Sequence, residues 1–225
     1  MKPQLLHFGE ARHPVVVIDD FTGDLAGWRE LAATMAPFPA NRGTYYPGLR
    51  RTIDEADANA FARVHALLER AAPYIGGGFD LAGFDLLEAS FSMVTARPEA
   101  LGPPQRVPHF DSTSPEYLAL LLYLSDTPGT AFYRQRATGI EQVTSDNLPR
   151  FIDAAKAASF DMQGYICTST PEFEQIGVVT GLADRLAIYP GSLLHSGIIP
   201  ANMDFSADPR RGRLTLNLFV QGRRT

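Results

Sequence analysis

Cysteine is almost absent from this chain: Cys167 is the only one in 225 residues. No intrachain disulfide can form, and no zinc site can be assembled from several thiolates. Long hydrophobic runs are missing too. The longest clear one, Tyr117 to Leu124 (YLALLLYL), falls far short of the roughly 20 residues needed to cross a bilayer as a helix. The opening MKPQLLHFGEARHPVVVIDD has no apolar core of the kind a secretory signal needs. The expectation is a cytoplasmic protein with no membrane partner. Basic residues are in deficit, with Lys+Arg 20 against Asp+Glu 25 and a formal net charge of -5. A nucleic-acid partner is therefore not expected, because phosphate-backbone binding needs a basic face. No internal repeat or linker is visible.

What is present is an ordinary globular composition, 45% hydrophobic and 20% charged. The β-branched run Pro14 to Ile18 predicts a strand. Asp24 is placed to cap a helix over Leu25 to Ala36, which Pro37 and Pro39 stop. Residues 37–53 read as loop, centred on Gly43-Thr44-Tyr45-Tyr46-Pro47-Gly48. Phe61, Val64, His65, Leu68 and Ala72 recur at helical spacing between Asp54 and Tyr74, and Gly76-Gly77-Gly78 is expected to end that helix. The period then changes. Leu86–Thr95 is strand-like, residues 96–108 hold four prolines, and Tyr117–Leu124 reads as a strand covered on both faces. Thr130–Arg136, Arg185–Tyr189 and Leu214–Val220 read as strands. Asp146–Ser159 reads as a helix, and a short helix is expected to start at Pro171. The expected organisation is one domain over 1–225, with a helical N-terminal part over about 1–80, a β-rich body, and a helical insertion over about 146–178.

Three segments carry side chains suited to chemistry. His109-Phe110-Asp111 is weak alone, since chance supplies roughly 0.3 such spacings in a chain of this composition. In an extended segment its two polar side chains point to one side; in a surface loop the Asp caps a turn. His195 closes a strand–turn unit 84 residues beyond Asp111. As a lone histidine in an apolar segment it reads as a core residue. Taken with His109 and Asp111 it completes two histidines and a carboxylate, the facial triad of non-heme Fe(II) oxygenases. The last strand alternates strictly, with Leu214, Leu216 and Leu218 on one face and Arg213, Thr215 and Asn217 on the other. That pattern suits a half-exposed strand. It equally suits a cavity wall on which Arg213 clamps a carboxylate and Thr215 adds a hydroxyl.

The ordered set His109-x-Asp111, Tyr123-Leu124-Ser125-Asp126, Gly129-Thr130-x-Phe132, His195 and Arg213-x-Thr215 resembles the Fe(II)- and 2-oxoglutarate-dependent dioxygenases. The likeness is to their prolyl-4-hydroxylase-like branch, and more narrowly to a bacterial group of such oxygenases without an assigned substrate. Val17-Ile18-Asp19-Asp20-Phe21 resembles the start of that branch. The resemblance spans about residues 15–220. It implies a double-stranded β-helix, a jelly-roll barrel of the mainly β, α+β class, with N-terminal helices packed on one sheet. It also implies iron ligation by His109, Asp111 and His195. The 2-oxoglutarate co-substrate would be held by Arg213, with Thr215 as hydroxyl helper and Tyr123 as a further hydrogen-bonding group or a plain core aromatic. The implied reaction is C–H hydroxylation with oxygen, coupled to decarboxylation of 2-oxoglutarate to succinate. Asp111 favours hydroxylation, since halogenating relatives carry a small residue there.

Two departures accompany the resemblance. His195 and Arg213 are 18 positions apart, a longer gap than usual in the family, so Arg210 and Arg211 compete with Arg213 as the clamp. The family's glycine pair is Gly129 followed by Thr130. The competing function is a cupin-like barrel that binds metal or ligand without oxidation. The expected substrate is a small molecule or a peptide or protein side chain, and a homodimer is plausible. Tyr45, Tyr46, Arg50 and Arg51 read as a structured loop or a substrate entrance, and Tyr133 and Arg134 as surface strand or substrate wall. His7, His13 and His65 have no partner at useful spacing.

Overall fold

The computed structural model describes residues 2–40, 46–158 and 163–224. Strands form over Pro3–Phe8 (β1), His13–Ile18 (β2), Gly48–Thr52 (β3), Gly83–Val94 (β4), Tyr117–Tyr123 (β5), Thr127–Gln135 (β6), Phe173–Gly181 (β7), Leu186–Pro190 (β8), His195–Gly197 (β9) and Leu214–Arg223 (β10). Helices form over Leu25–Thr34 (α1), Ala58–Phe79 (α2) and Leu148–Ala157 (α3). The strands make a large sheet in the order β1-β2-β8-β5-β10-β4-β3 and a small one in the order β7-β6-β9. Every pairing is antiparallel.

Side-chain alternation divides the large sheet into two working faces. Leu214, Leu216 and Leu218 of β10 share one buried cluster with Leu118, Leu120 and Leu122 of β5, Phe91 and Met93 of β4, Trp28 and Ala32 of α1, and Val64, Leu67 and Leu68 of α2. The other face supplies Ala119, Leu121, Tyr123, Ala187 and Tyr189 to a second cluster, which Phe132 and Val179 of the small sheet complete. The unbroken apolar run of β5 thus reflects a strand buried on both sides. The sandwich of a large and a small antiparallel sheet is a jelly roll, with the second cluster packed between the sheets.

Local signals explain most ends. The Asp24 carboxylate accepts the Gly27 N–H at the start of α1. α2 runs through the three glycines to Phe79, and ends where Asp80 adopts a left-handed conformation and its N–H returns to Gly76 O.

The outline differs from the sequence expectation in three places. Besides two helices and the expected strand β2, the first 80 residues hold β1 and β3. Residues 48–52 are not loop but the edge strand β3, paired with β4 from Gly48↔Val94 to Thr52↔Ser90. Among the described residues of the insertion over 146–178, only α3 is helical. Phe173 pairs with Gln135 as β7 begins, so no helix starts at Pro171. The expectations for Gly43, Thr44, Tyr45 and Ser159 fall outside the described residues.

Candidate metal centre and the pocket beside it

His109 and His195 come together because their backbones pair. His109, in no named strand, pairs with the first residue of β9: His109 N–H donates to His195 O at 2.9 Å, and His195 N–H to His109 O at 2.8 Å. The Asp111 N–H donates to Gly191 O at 2.6 Å, which ties this segment to the turn after β8. The segment is extended, so His109 and Asp111 project to one side. His109 Nε2 lies 3.8 Å from Asp111 Oδ1, and His195 Nε2 lies 3.6 Å from Asp111 Oδ2. One candidate ligand atom from each residue falls within 4.8 Å of the others. That set of two imidazoles and a carboxylate can hold a divalent metal.

The second nitrogen of His195 fixes its role. Nδ1 sits 2.8 Å from Leu193 O, where it is the donor, so Nε2 carries the lone pair toward Asp111. Tyr189 packs edge-on against this ring, with centroids 4.9 Å apart. His195 is buried, the Asp111 side chain is 16% exposed and that of His109 46%, so the centre opens on the His109 side. Although its ring reaches that mouth, His109 is held well below the ordinary histidine pKa. Loss of hydration is the main cause, and His195 and Arg50 add to it. Burial raises the Asp111 carboxyl, against the pull of His195 and Arg50.

Strand register extends the site along the cavity face of the large sheet. Arg50, Ser92, Thr215 and Tyr123 lie side by side across β3, β4, β10 and β5. Arg213 precedes β10, is 7% exposed, and has a buried Nε with no hydrogen-bond partner. Its charge bears on Tyr46, Tyr123, Tyr165 and Tyr189, and its guanidinium approaches Gly197. No carboxylate pairs with it among the described residues. The buried hydroxyls of Tyr46 and Ser92 bear on each other, and the buried Asn217 Oδ1 has no hydrogen-bond partner among the described residues. A buried guanidinium with no carboxylate beside it among the described residues is able to take an anion, because buried charges are otherwise paired. Arg210 and Arg211 are different: both are exposed, and they pair with Glu30 and Asp204 at 3.0 and 3.3 Å.

Tyr123 is fully buried, and its hydroxyl meets Thr130 Oγ1 at 2.7 Å. Thr215 Oγ1 has only a long contact, 3.5 Å, to Ser92 O. Gly129 has φ +111, and a side chain there would strike Val179 O of β7. The Gly-Thr sequence thus lets β6 and β7 approach while placing a hydroxyl on Tyr123.

Arg50, Tyr46, Ser92 and Glu88 belong to this region; the sequence pointed to Tyr46 and Arg50 as a structured loop or substrate entrance, and not to Ser92 or Glu88. His13 does have a partner, Glu141 Oε2 at 3.1 Å, on the side of the molecule where β1 turns into β2. His65 packs on Phe61.

A family model described as "Family of unknown function (DUF6445)" matches residues 1–220. The sequence has no match among curated proteins. Solved structures share the fold. The non-heme α-ketoglutarate-dependent epimerase SnoN from nogalamycin biosynthesis matches with a TM-score of 0.56 at 15% identity, over 94% of this chain and 79% of its own. HygX from Streptomyces hygroscopicus with iron bound matches with a TM-score of 0.56 at 15% identity, over 92% and 81%. HygX with nickel and 2-oxoglutarate bound matches with a TM-score of 0.54 at 16% identity, over 93% and 82%.

Proposed function

Since the chain belongs to DUF6445, a family of unknown function, its activity has to come from its site, and we propose that it is a non-heme Fe(II)- and 2-oxoglutarate-dependent oxygenase. The observation that carries this reading is the pairing of two features in one cavity. One is a two-His, one-carboxylate set within 4.8 Å. The other is a buried arginine that no carboxylate pairs among the described residues. A pure binding barrel needs no such combination. Structures of this fold with iron, or with nickel and 2-oxoglutarate, support the choice of groups.

The donor set fits the metal. Neutral imidazole suits Fe(II), and the carboxylate neutralises half its charge while leaving positions open. The polar atoms fit the co-substrate. Arg213 would take its distal carboxylate, beside Thr215 and the Tyr123–Thr130 hydroxyl pair. Iron and 2-oxoglutarate, when bound, supply the oxidising power for C–H hydroxylation, with oxygen consumed and succinate and carbon dioxide released.

The protein's part is positional. Leu193 O fixes the His195 tautomer. Gly191 O and the His109–His195 backbone pair fix where the two other donors stand. Tyr123, Phe132 and Tyr189 exclude water from the inner side. The expected substrate is a small molecule or a peptide side chain entering on the exposed side of His109.

The test is anaerobic visible spectroscopy with Fe(II) and then 2-oxoglutarate. A weak charge-transfer band is expected only when both are present, and is lost in Asp111→Ala. Succinate should then form under oxygen, and product analysis would separate hydroxylation from epimerisation. Absence of iron binding by the wild type would leave a non-oxidising ligand barrel as the better account.

A further inference from the structure

Arg50 is the second cation of the cavity and is not used by the co-substrate reading. It stands on edge strand β3, directly across from Ser92. Its guanidinium lies over the Tyr46 ring, 4.8 Å from the centroid. Nη1 makes one long contact, 3.4 Å, to Glu88 Oε1. Its Nε is buried and has no partner. The side-on fork of Nε and Nη2, the face arginine uses to grip a carboxylate with two parallel bonds, is therefore unfilled among the described residues. Glu88 is also under-used. Oε1 receives Arg50 and the Ser90 hydroxyl, the latter at 3.3 Å, and the side chain stays 38% exposed.

This pair faces the metal centre. Arg50 is near enough for its charge to bear on both His109 and Asp111, and the charge of Glu88 bears on Asp111. Phe219 lies across from Glu88 in the sheet, and its ring is 5.6 Å from that of Tyr117. Tyr117 and Asp111 both abut Gly191. A molecule held by Arg50 and Glu88 would rest on an aromatic wall with its remainder directed at the triad.

We infer that Arg50 and Glu88 are the substrate-recognition pair, and that the substrate carries a carboxylate and an ammonium group on neighbouring atoms, as a free α-amino acid does. Arg50 and Glu88 stand side by side, with Nη1 and Oε1 3.4 Å apart, so two opposite charges on neighbouring atoms of one small molecule can reach both. An uncharged substrate would leave the Arg50 fork unpaired, and a simple acid would leave Glu88 facing its carboxylate. The assignment rests on the oxygenase reading above.

The experiment uses the full chain loaded with Ni(II) and 2-oxoglutarate, and saturation-transfer NMR with the twenty free amino acids. Their N-acetyl and carboxamide derivatives serve as blocked probes. Free amino acids should bind and both blocked sets should not. Arg50→Gln should weaken amino-acid binding at least tenfold while 2-oxoglutarate affinity, measured on the same sample, stays within about twofold. Arg50→Lys, which keeps charge but not the fork, should weaken it too and guards against a folding defect. Glu88→Gln should remove the preference for a free ammonium. The inference fails alone if 2-oxoglutarate binds but no amino acid does, if blocked probes bind equally, or if Arg50→Gln changes nothing. Loss of 2-oxoglutarate binding in Arg50→Gln would move Arg50 to the co-substrate and overturn it. Failure of the wild type to bind 2-oxoglutarate overturns the oxygenase reading and this one with it.

Discussion

Arg213 shows how one side chain can be judged by what surrounds it. A guanidinium that is 93% buried and lacks a carboxylate is a standing cost to the folded state. It persists in a stable fold when something else has to be held. Arg213→Met should therefore leave the thermal midpoint unchanged or raise it, because removing an unpaired buried charge relieves desolvation. The same variant should lose 2-oxoglutarate affinity on the order of 100-fold, the usual scale for breaking a buried charge pair. Arg211→Ala, an exposed residue paired with Asp204, should leave affinity within about twofold. Calorimetry on the three proteins reads both quantities. Equal losses in the two variants would move the clamp away from Arg213.

Among elements, the turn between β1 and β2 is fastened to β6 mainly through Glu141, with the Glu10 carboxylate also pairing Arg134 at 2.9 Å. Glu141 accepts the backbone N–H groups of Glu10 and Ala11 and the Arg134 guanidinium, and faces His13. Burial alone would raise its pKa; the two amides and Arg134 outweigh burial and hold it below the ordinary 4.5. The stability this provides is complete above the unfolded value and is lost as pH falls through the lower folded one. Glu141→Gln should cost about 2 kcal/mol at pH 7, read as a shift in urea midpoint. The gap to the wild type should shrink as pH falls from 4.5 toward the folded value. A gap that is constant with pH would sink the carboxylate account. This fastening was not legible in the sequence, because Glu141 lies about 130 residues from Glu10 and Ala11. The same limit hid β3 and β7. Gly48–Thr52 has no alternating apolar pattern to show that it pairs with β4, and β7 alternates too weakly to stand out from its loop. What the sequence did display was anything with a period or a fixed offset: the doubly buried β5, the alternation of β10, the helical spacing of α2, and His109-x-Asp111. Arg50 was legible only as part of a loop or substrate entrance, and Glu88 not at all, because only sheet register sets them beside the centre. Gly129 was visible as a residue, but its reason, the closeness of Val179 O, was not. Gly129→Ala should cost about 2 kcal/mol by forcing an alanine into positive φ and against β7.

At the scale of the whole molecule, the triad joins parts of the chain that nothing covalent connects. His109 and Asp111 stand on the segment before β5, and His195 on β9 in the small sheet, with the turn after β8 between them. The turn itself is bonded on two sides, through Gly191 N–H to Tyr117 O and Val143 N–H to Ser192 O. An ion shared by His109, Asp111 and His195 would thus pin the small sheet to the large one at the open end of the cavity. Anything that binds only the folded state stabilises it by mass action, about 2.7 kcal/mol at a hundredfold excess over the dissociation constant. For a chain of this size that is a rise of about 5–10 °C in the thermal midpoint. Ni(II) at such an excess should produce it in the wild type, EDTA should reverse it, and Asp111→Asn should abolish it. Addition of 2-oxoglutarate should raise the midpoint further only when Ni(II) is present and Arg213 is intact. An equal rise with Ni(II) in Asp111→Asn would mean that the ion binds elsewhere. A rise with 2-oxoglutarate alone would mean that the anion is held by Arg213 without the metal, and the cavity would then be a carboxylate-binding barrel.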